Sequence, residues 1–104
     1  MIDWSRVSEL RGEVGPDDFH EIVEIFLEEM AAELTTLSPT SDDMSVAAVL
    51  HSIKGAALSL GFAQIADLCQ MGEQAAAAGE KVDLNRLRAT LRDSVAAFAA
   101  GLAA

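Results

Sequence analysis

A chain of 104 residues with 17 acidic and 7 basic side chains has a formal net charge of −10, which argues against nucleic acid and anionic membrane as partners. It is long enough for one domain, expected to span residues 1–104, and too short for two. Hydrophobic residues make up 51% of the chain, swollen by alanine, and with two prolines and no tyrosine the composition predicts an all-α protein.

The opening, MIDWSRVSEL, has neither a basic n-region nor an apolar h-region, and no apolar run reaches the roughly 18–20 residues a bilayer requires. A cytoplasmic protein is therefore expected. Asp3 can cap a short helix through about Leu10, with Ile2 just ahead, Trp4, Val7 and Leu10 in register, and Gly12 and Gly15-Pro16 closing it off. Asp17 and Asp18 then start a long helix whose stripe is Phe19, Val23, Phe26, Met30, Leu34 and Leu37. Glu24, Glu28, Glu29 and Glu33 fall mostly off that stripe, and Ile25 is open to two readings, a second core contact or part of a partner surface.

After the polar loop Ser38-Pro39-Thr40-Ser41-Asp42-Asp43, a third helix runs over Met44 to Gly61, with Gly61 at its C′ position. A fourth spans about Ala63 to Ala78, turns Ile65, Leu68, Cys69, Gly72 and Ala76 inward, and stops at Gly79. Asp83 caps the last helix, whose Leu84, Leu87, Leu91, Val95, Phe98 and Leu102 form a core stripe. Cys69 has no second cysteine for a disulfide or a zinc site and reads as a small buried hydrophobe. Four amphipathic helices with short loops, behind a short N-terminal helix, most simply form an antiparallel up-down-up-down four-helix bundle.

The third helix carries the residues that composition does not explain. At about 100° per residue, Val46, Val49, Ile53, Ala56, Ala57 and Leu60 share an inward arc, and His51 lies roughly 180° from Leu60. A core histidine would sit inside that arc. An ordinary solvated face would carry Glu, Lys and Gln, yet around His51 come Met44, Ala47, Ala48, Gly55 and Leu58, with Lys54 the only charged side chain between Val46 and Leu60. An apolar outward face implies a partner. Gly55 adds to this, because glycine inside a helix costs about 0.8–1 kcal/mol relative to alanine. This helix uses alanine freely, so Gly55 is expected to give another molecule clearance beside His51.

The run from His51 to Gly61, HSIKGAALSLG, resembles the H-x-x-K-G-x-x-x-x-x-G signature of histidine-containing phosphotransfer (Hpt) domains. Ile65, Ala66, Leu68, Cys69 and Glu73 are similar to that family's next helix, and Asp3-Trp4 to its usual opening; Gly72 departs from it, standing where a larger apolar residue is usual. The resemblance implies the same helical bundle. It also implies that His51 accepts a phosphoryl group from an aspartyl phosphate on a receiver domain and passes it to another receiver, with Lys54 stabilising the phosphoryl oxygens and Gly55 giving clearance.

No G-x-x-x-x-G-K-[ST] loop, G-x-G-x-x-G turn or apparent Mg²⁺-binding carboxylate pair is present. A phosphocarrier without kinase activity of its own is therefore expected, with no cofactor and with Mg²⁺ held in the partner receiver. The partners implied are response-regulator receivers or the receiver of a hybrid histidine kinase. Docking is expected on Met44, Ala47, Ala48 and Leu58, extended by Val7 or Leu10 of the first helix, with the chain as a monomer. One alternative is a kinase-derived phospho-accepting helical segment, but those usually have Glu after the histidine and a proline shortly beyond, whereas Ser52 follows here and no later proline occurs. Another is a non-transferring interaction or regulatory module, against which intact His51, Lys54 and Gly55 count. A metal site from His20, His51 and Cys69 is a distant third, since none is at i, i+4 from another.

Overall fold

Residues 1–104 are described by a computed structural model in which five α-helices follow one another and no strand occurs. They are α1 (Trp4–Val14), α2 (Pro16–Thr35), α3 (Asp43–Leu60), α4 (Ala63–Ala77) and α5 (Leu84–Ala103). Three begin at aspartate caps whose carboxylates accept the third backbone N–H beyond: Asp3 from Arg6 at 3.2 Å, Asp42 from Ser45 at 2.8 Å and Asp83 from Arg86 at 3.0 Å. In α2 the first helical residue is Pro16, which has no N–H to leave unpaired, and Asp17 and Asp18 place negative charge at the helix's positive end. No helix is long and apolar enough to cross a membrane.

The first helix runs one turn past the Leu10 end expected from sequence, with Gly12 inside it on the exposed side, because one interior glycine costs only about 0.8–1 kcal/mol and does not by itself end a helix. Gly15, at φ 86°, is the residue that ends it. The extra turn places Arg11 over the Phe19 ring, 5.2 Å from its centroid, and so joins α1 to α2. Val7 and Leu10 are 4% and 5% exposed and belong to the common core, so neither can extend a docking surface. The i, i+3 spacing identified them as one face, and that face turns inward.

Helix α1 is fastened across the α3–α4 connection by backbone as well as side chains. Asp3 N–H donates to Gly61 O at 2.7 Å, and Arg6 Nε donates to Ser59 O at 3.0 Å, placing a cation against the last turn of α3. Gly61 is left-handed, at φ 92°, and a Cβ there would lie 2.8 Å from Asp3 O, so both the turn and the close approach of α1 require glycine. Beside this junction Trp4 stacks on Phe98 with centroids 5.8 Å apart, and Phe98 meets Phe62 edge-on at 5.4 Å.

The buried face of α3 is Val46, Leu50, Ile53, Ala57 and Leu60, with Val49 and Ala56 only half-buried. Relative to the arc expected from sequence, this face is rotated by roughly 30° toward Lys54 at about 100° per residue. The cause is α4, which shares with α3 the most extensive helix contact in the protein. Leu50 is fully buried because Gly72 of α4 makes room for it; a Cβ on Gly72 would fall 2.5 Å from Leu50 Cδ1 and 3.3 Å from Val82 Cγ1. The glycine at this position is therefore a packing partner for a leucine. In α5 the same widening of the buried sector brings Thr90 and Ser94 into the interior beside Leu84, Leu87, Leu91 and Phe98.

Candidate functional site

His51, Ser52 and Lys54 lie within a single turn of α3, and Gln70 and Glu73 lie one turn apart on the edge of α4 that meets them. The pairs 51–73 and 54–70 run in opposite chain directions, so the two helices are antiparallel at the site. His51 Nδ1 is 2.8 Å from Glu73 Oε1, and the imidazole is 72% exposed. Lys54 Nζ is 2.6 Å from Glu73 Oε2 and donates to Gln70 Oε1 at 2.7 Å, with the lysine side chain 20% and the glutamate 18% exposed. On the other side of His51, Ser52 Oγ donates to Glu33 Oε1 of α2 at 2.5 Å. One carboxylate thus holds both the histidine and its neighbouring lysine.

Burial would raise the Glu73 carboxyl, but hydrogen bonds from Lys54 and His51 and the positive charge of Lys54 outweigh it, and the net result lies below the ordinary carboxylate value. Glu73 is therefore ionised near neutral pH and can only accept hydrogen bonds. In a neutral imidazole this fixes the proton on Nδ1 and leaves the lone pair on Nε2, the nitrogen with no protein partner. The arrangement supplies an oriented, exposed nitrogen nucleophile. Beneath it, burial first and the Glu73 charge second push the Cys69 thiol up to about 12, so Cys69 is an inert core residue.

Lys54 is where sequence expected it, beside His51, but it is drawn over α4 rather than free in solvent, because the rotation of α3 turns it inward. Gly55 is exposed, and a Cβ built on it would meet nothing within 4 Å, so helix packing gives no reason for the glycine. Met44, Ala48 and Leu58 are exposed around His51, whereas Ala47 is half-buried against the core. Ile25 is exposed on α2. No group of three or more His, Cys, Asp or Glu side chains converges in a way that could hold a metal ion, and His20, His51 and Cys69 are not brought together.

Residues 21–101 match the Hpt domain family. The chain belongs to that family. Hpt domains are histidine phosphotransfer modules of phosphorelays, phosphocarriers rather than enzymes, and they interact with receiver domains. All of α1 and the first residues of α2 precede the matched Hpt segment, so Asp3 and Arg6, which fasten α1 to Gly61 and Ser59, lie outside it while their acceptors lie within it. Neither a curated protein nor a solved structure matches the chain.

Gln70 and the Glu33–Ser52 link were not singled out in the sequence, and Glu73 stood only as one point of likeness to the Hpt pattern. A usable signal was present: on α4, Gln70 and Glu73 are polar residues at i, i+3, flanking the inward Cys69 and Gly72. Since Gly55 meets open space, Gly55→Ala should raise stability by up to about 1 kcal/mol through helix propensity. Gly55→Gln should slow phosphoryl transfer by crowding the approach to His51. Denaturant melts of both variants with single-turnover transfer rates check this, and a parental rate in Gly55→Gln would remove the clearance argument.

Proposed function

We propose that this chain is a phosphorelay intermediate in which Nε2 of His51 accepts a phosphoryl group from an aspartyl phosphate of one receiver and returns it to the aspartate of another. The observation that carries this is the exposed imidazole held through Nδ1 by an ionised carboxylate. In the forward step the Nε2 lone pair attacks phosphorus, the bond to the aspartyl oxygen breaks, and its electron pair leaves with the carboxylate. The positive charge gained by the ring is delocalised to Nδ1–H, which Glu73 already accepts. Lys54 offsets the charge on the transferred oxygens, and Gly55 leaves the face open to the incoming receiver. The acidic pocket and Mg²⁺ belong to the receiver, and this chain holds no cofactor of its own.

We read the architecture that presents the site as α2 to α5 in an antiparallel up-down-up-down bundle forming a single domain, with α1 across one end. Short connections support this, as does an envelope of 42 × 21 × 20 Å, elongated along one axis as expected when helices of about 30 Å lie side by side. A monomeric cytoplasmic protein fits this reading. The test is to offer the protein a set of phosphorylated receivers and, separately, ATP and Mg²⁺. Label should pass from at least one receiver to His51 and should not come from ATP; labelling by ATP alone would replace the carrier reading with a kinase.

Docking is assigned to Met44, Ala48 and Leu58, with Ala47 contributing only its half-exposed surface. At a net charge of −10, long-range attraction to an acidic receiver pocket cannot supply the affinity, so the apolar patch must. Leu58→Glu should weaken receiver binding by about tenfold or more, equal to about 1.4 kcal/mol. Folding should be unchanged because Leu58 is already exposed. Titration of an unphosphorylated receiver at two salt concentrations, with melts alongside, is the measurement, and normal binding by Leu58→Glu would move the docking face elsewhere.

A further inference from the structure

The Lys54 ammonium is not waiting in solvent for a phosphoryl group. It has two ligands already, Glu73 Oε2 at 2.6 Å and Gln70 Oε1 at 2.7 Å. The two differ in what they do when a dianionic group arrives on His51. Glu73 is tied to His51 Nδ1 as well and stays beside the ring, whereas Gln70 touches no other residue of the site through a hydrogen bond. Gln70 is also a neutral acceptor, and a hydrogen bond from an ammonium to an amide oxygen is weaker than one to a phosphoryl oxygen.

We propose that Gln70 is a positioning residue that holds Lys54 over α4 in the unphosphorylated protein and yields it to the phosphoryl oxygens when Nε2 is modified. This rests on the reading of His51 as the phosphoryl acceptor and adds a device to it. The amide is strong enough to keep Lys54 ordered and weak enough to be outcompeted, so the strength of this one contact sets how readily the charge moves. A carboxylate in its place would hold Lys54 between two anions; an apolar residue would leave Lys54 with Glu73 alone and free to turn toward His51. Exposure of Gln70 at the surface of α4 means either exchange can be made without disturbing the core.

The experiment uses the full chain and phosphoramidate as phosphoryl donor, so that no receiver surface is involved. In the step followed, the Nε2–P bond forms, the P–N bond of the donor breaks, and its nitrogen leaves as ammonia with the protons it carried. Phosphorylation rates and phosphohistidine lifetimes are measured for the parent, Gln70→Leu and Gln70→Glu, each with Lys54 present and in a Lys54→Ala background, with thermal melts for all six. Gln70→Leu should accept phosphoryl about threefold to tenfold faster than the parent and hold it longer, the scale expected from one exposed hydrogen bond to a charged group. Gln70→Glu should be slower by a similar factor. Without Lys54 the acceleration by Gln70→Leu should vanish. A merely structural role would change melting temperature and would not reverse sign between the two variants. If His51 takes label and Gln70→Leu matches the parent, or accelerates equally without Lys54, the positioning role is wrong. If the parent takes label at His51 neither from phosphoramidate nor from any of the phosphorylated receivers, it is the phosphocarrier reading that fails; if only a receiver labels it, the same six proteins are compared with that receiver as donor.

Discussion

Replacing His51 by alanine should abolish phosphoryl acceptance and leave the fold as stable as before. The imidazole is 72% exposed and makes no contact that the core depends on, so its removal should change stability by no more than about 0.5 kcal/mol. Glu73, which loses one partner, keeps the other, because Lys54 remains 2.6 Å from its second oxygen. No other side chain can take over the chemistry: His20 lies on α2 with its own surroundings, and the Cys69 thiol is buried and pushed up to about 12. Transfer from a phosphorylated receiver, followed alongside a thermal melt, reads both halves of the statement. Persistent label in His51→Ala would place the acceptor elsewhere, and a loss of several kcal/mol would mean that the histidine serves the core.

The largest expected effect on stability lies directly beneath the site, where Leu50 of α3 fills the space left by Gly72 of α4. Leu50→Ala removes a fully buried side chain and should cost about 2–5 kcal/mol, a large part of the roughly 5–15 kcal/mol that holds a domain of this kind together. Gly72→Leu should also destabilise, by about 1–3 kcal/mol of overpacking less about 1 kcal/mol of helix propensity, because even a Cβ at that position would press on Leu50 Cδ1 at 2.5 Å. Together the two changes exchange a leucine and a small residue across one contact, so the double variant should be more stable than the sum of its parts by at least about 1 kcal/mol. Urea unfolding of the four proteins in the cycle gives the coupling directly. Simple additivity would show that the two positions do not compete for the same space.

Much of this molecule could be read from period and punctuation. Asp3, Asp42 and Asp83 cap helices whose apolar stripes were already visible, and Gly61 takes the left-handed conformation its place after Leu60 demanded. What periodicity could not supply was the angular width of each buried sector, since that depends on how many neighbours a helix has. Leu50 and Lys54 sit at the edge of the α3 arc, and only the presence of α4 decides that one is buried and the other drawn inward. Val7 and Leu10 show the opposite failure: their face was correctly identified, but a face alone does not say whether its partner is this chain or another. His51 was legible because it opposed the apolar arc. Glu73 was legible only as a likeness, because its role requires knowing that positions 22 residues apart meet across an interhelical edge.

The α3–α4 junction also determines when the site comes into being as the chain folds. Every group around the imidazole except Glu33 resides on two antiparallel helices joined by Gly61 and Phe62 alone, so the search that brings them together closes a short loop at low entropic cost. Contacts made by α5 and by α1 require chain ends to return over longer separations, and Asp3 reaches Gly61 only across 58 residues. Substitutions in the α3–α4 pair should therefore slow refolding, while those that loosen Trp4 from Phe98 should chiefly hasten unfolding. The chemistry-bearing pair would then form first in the refolding chain, and the outer helices would act as clamps on a site already assembled.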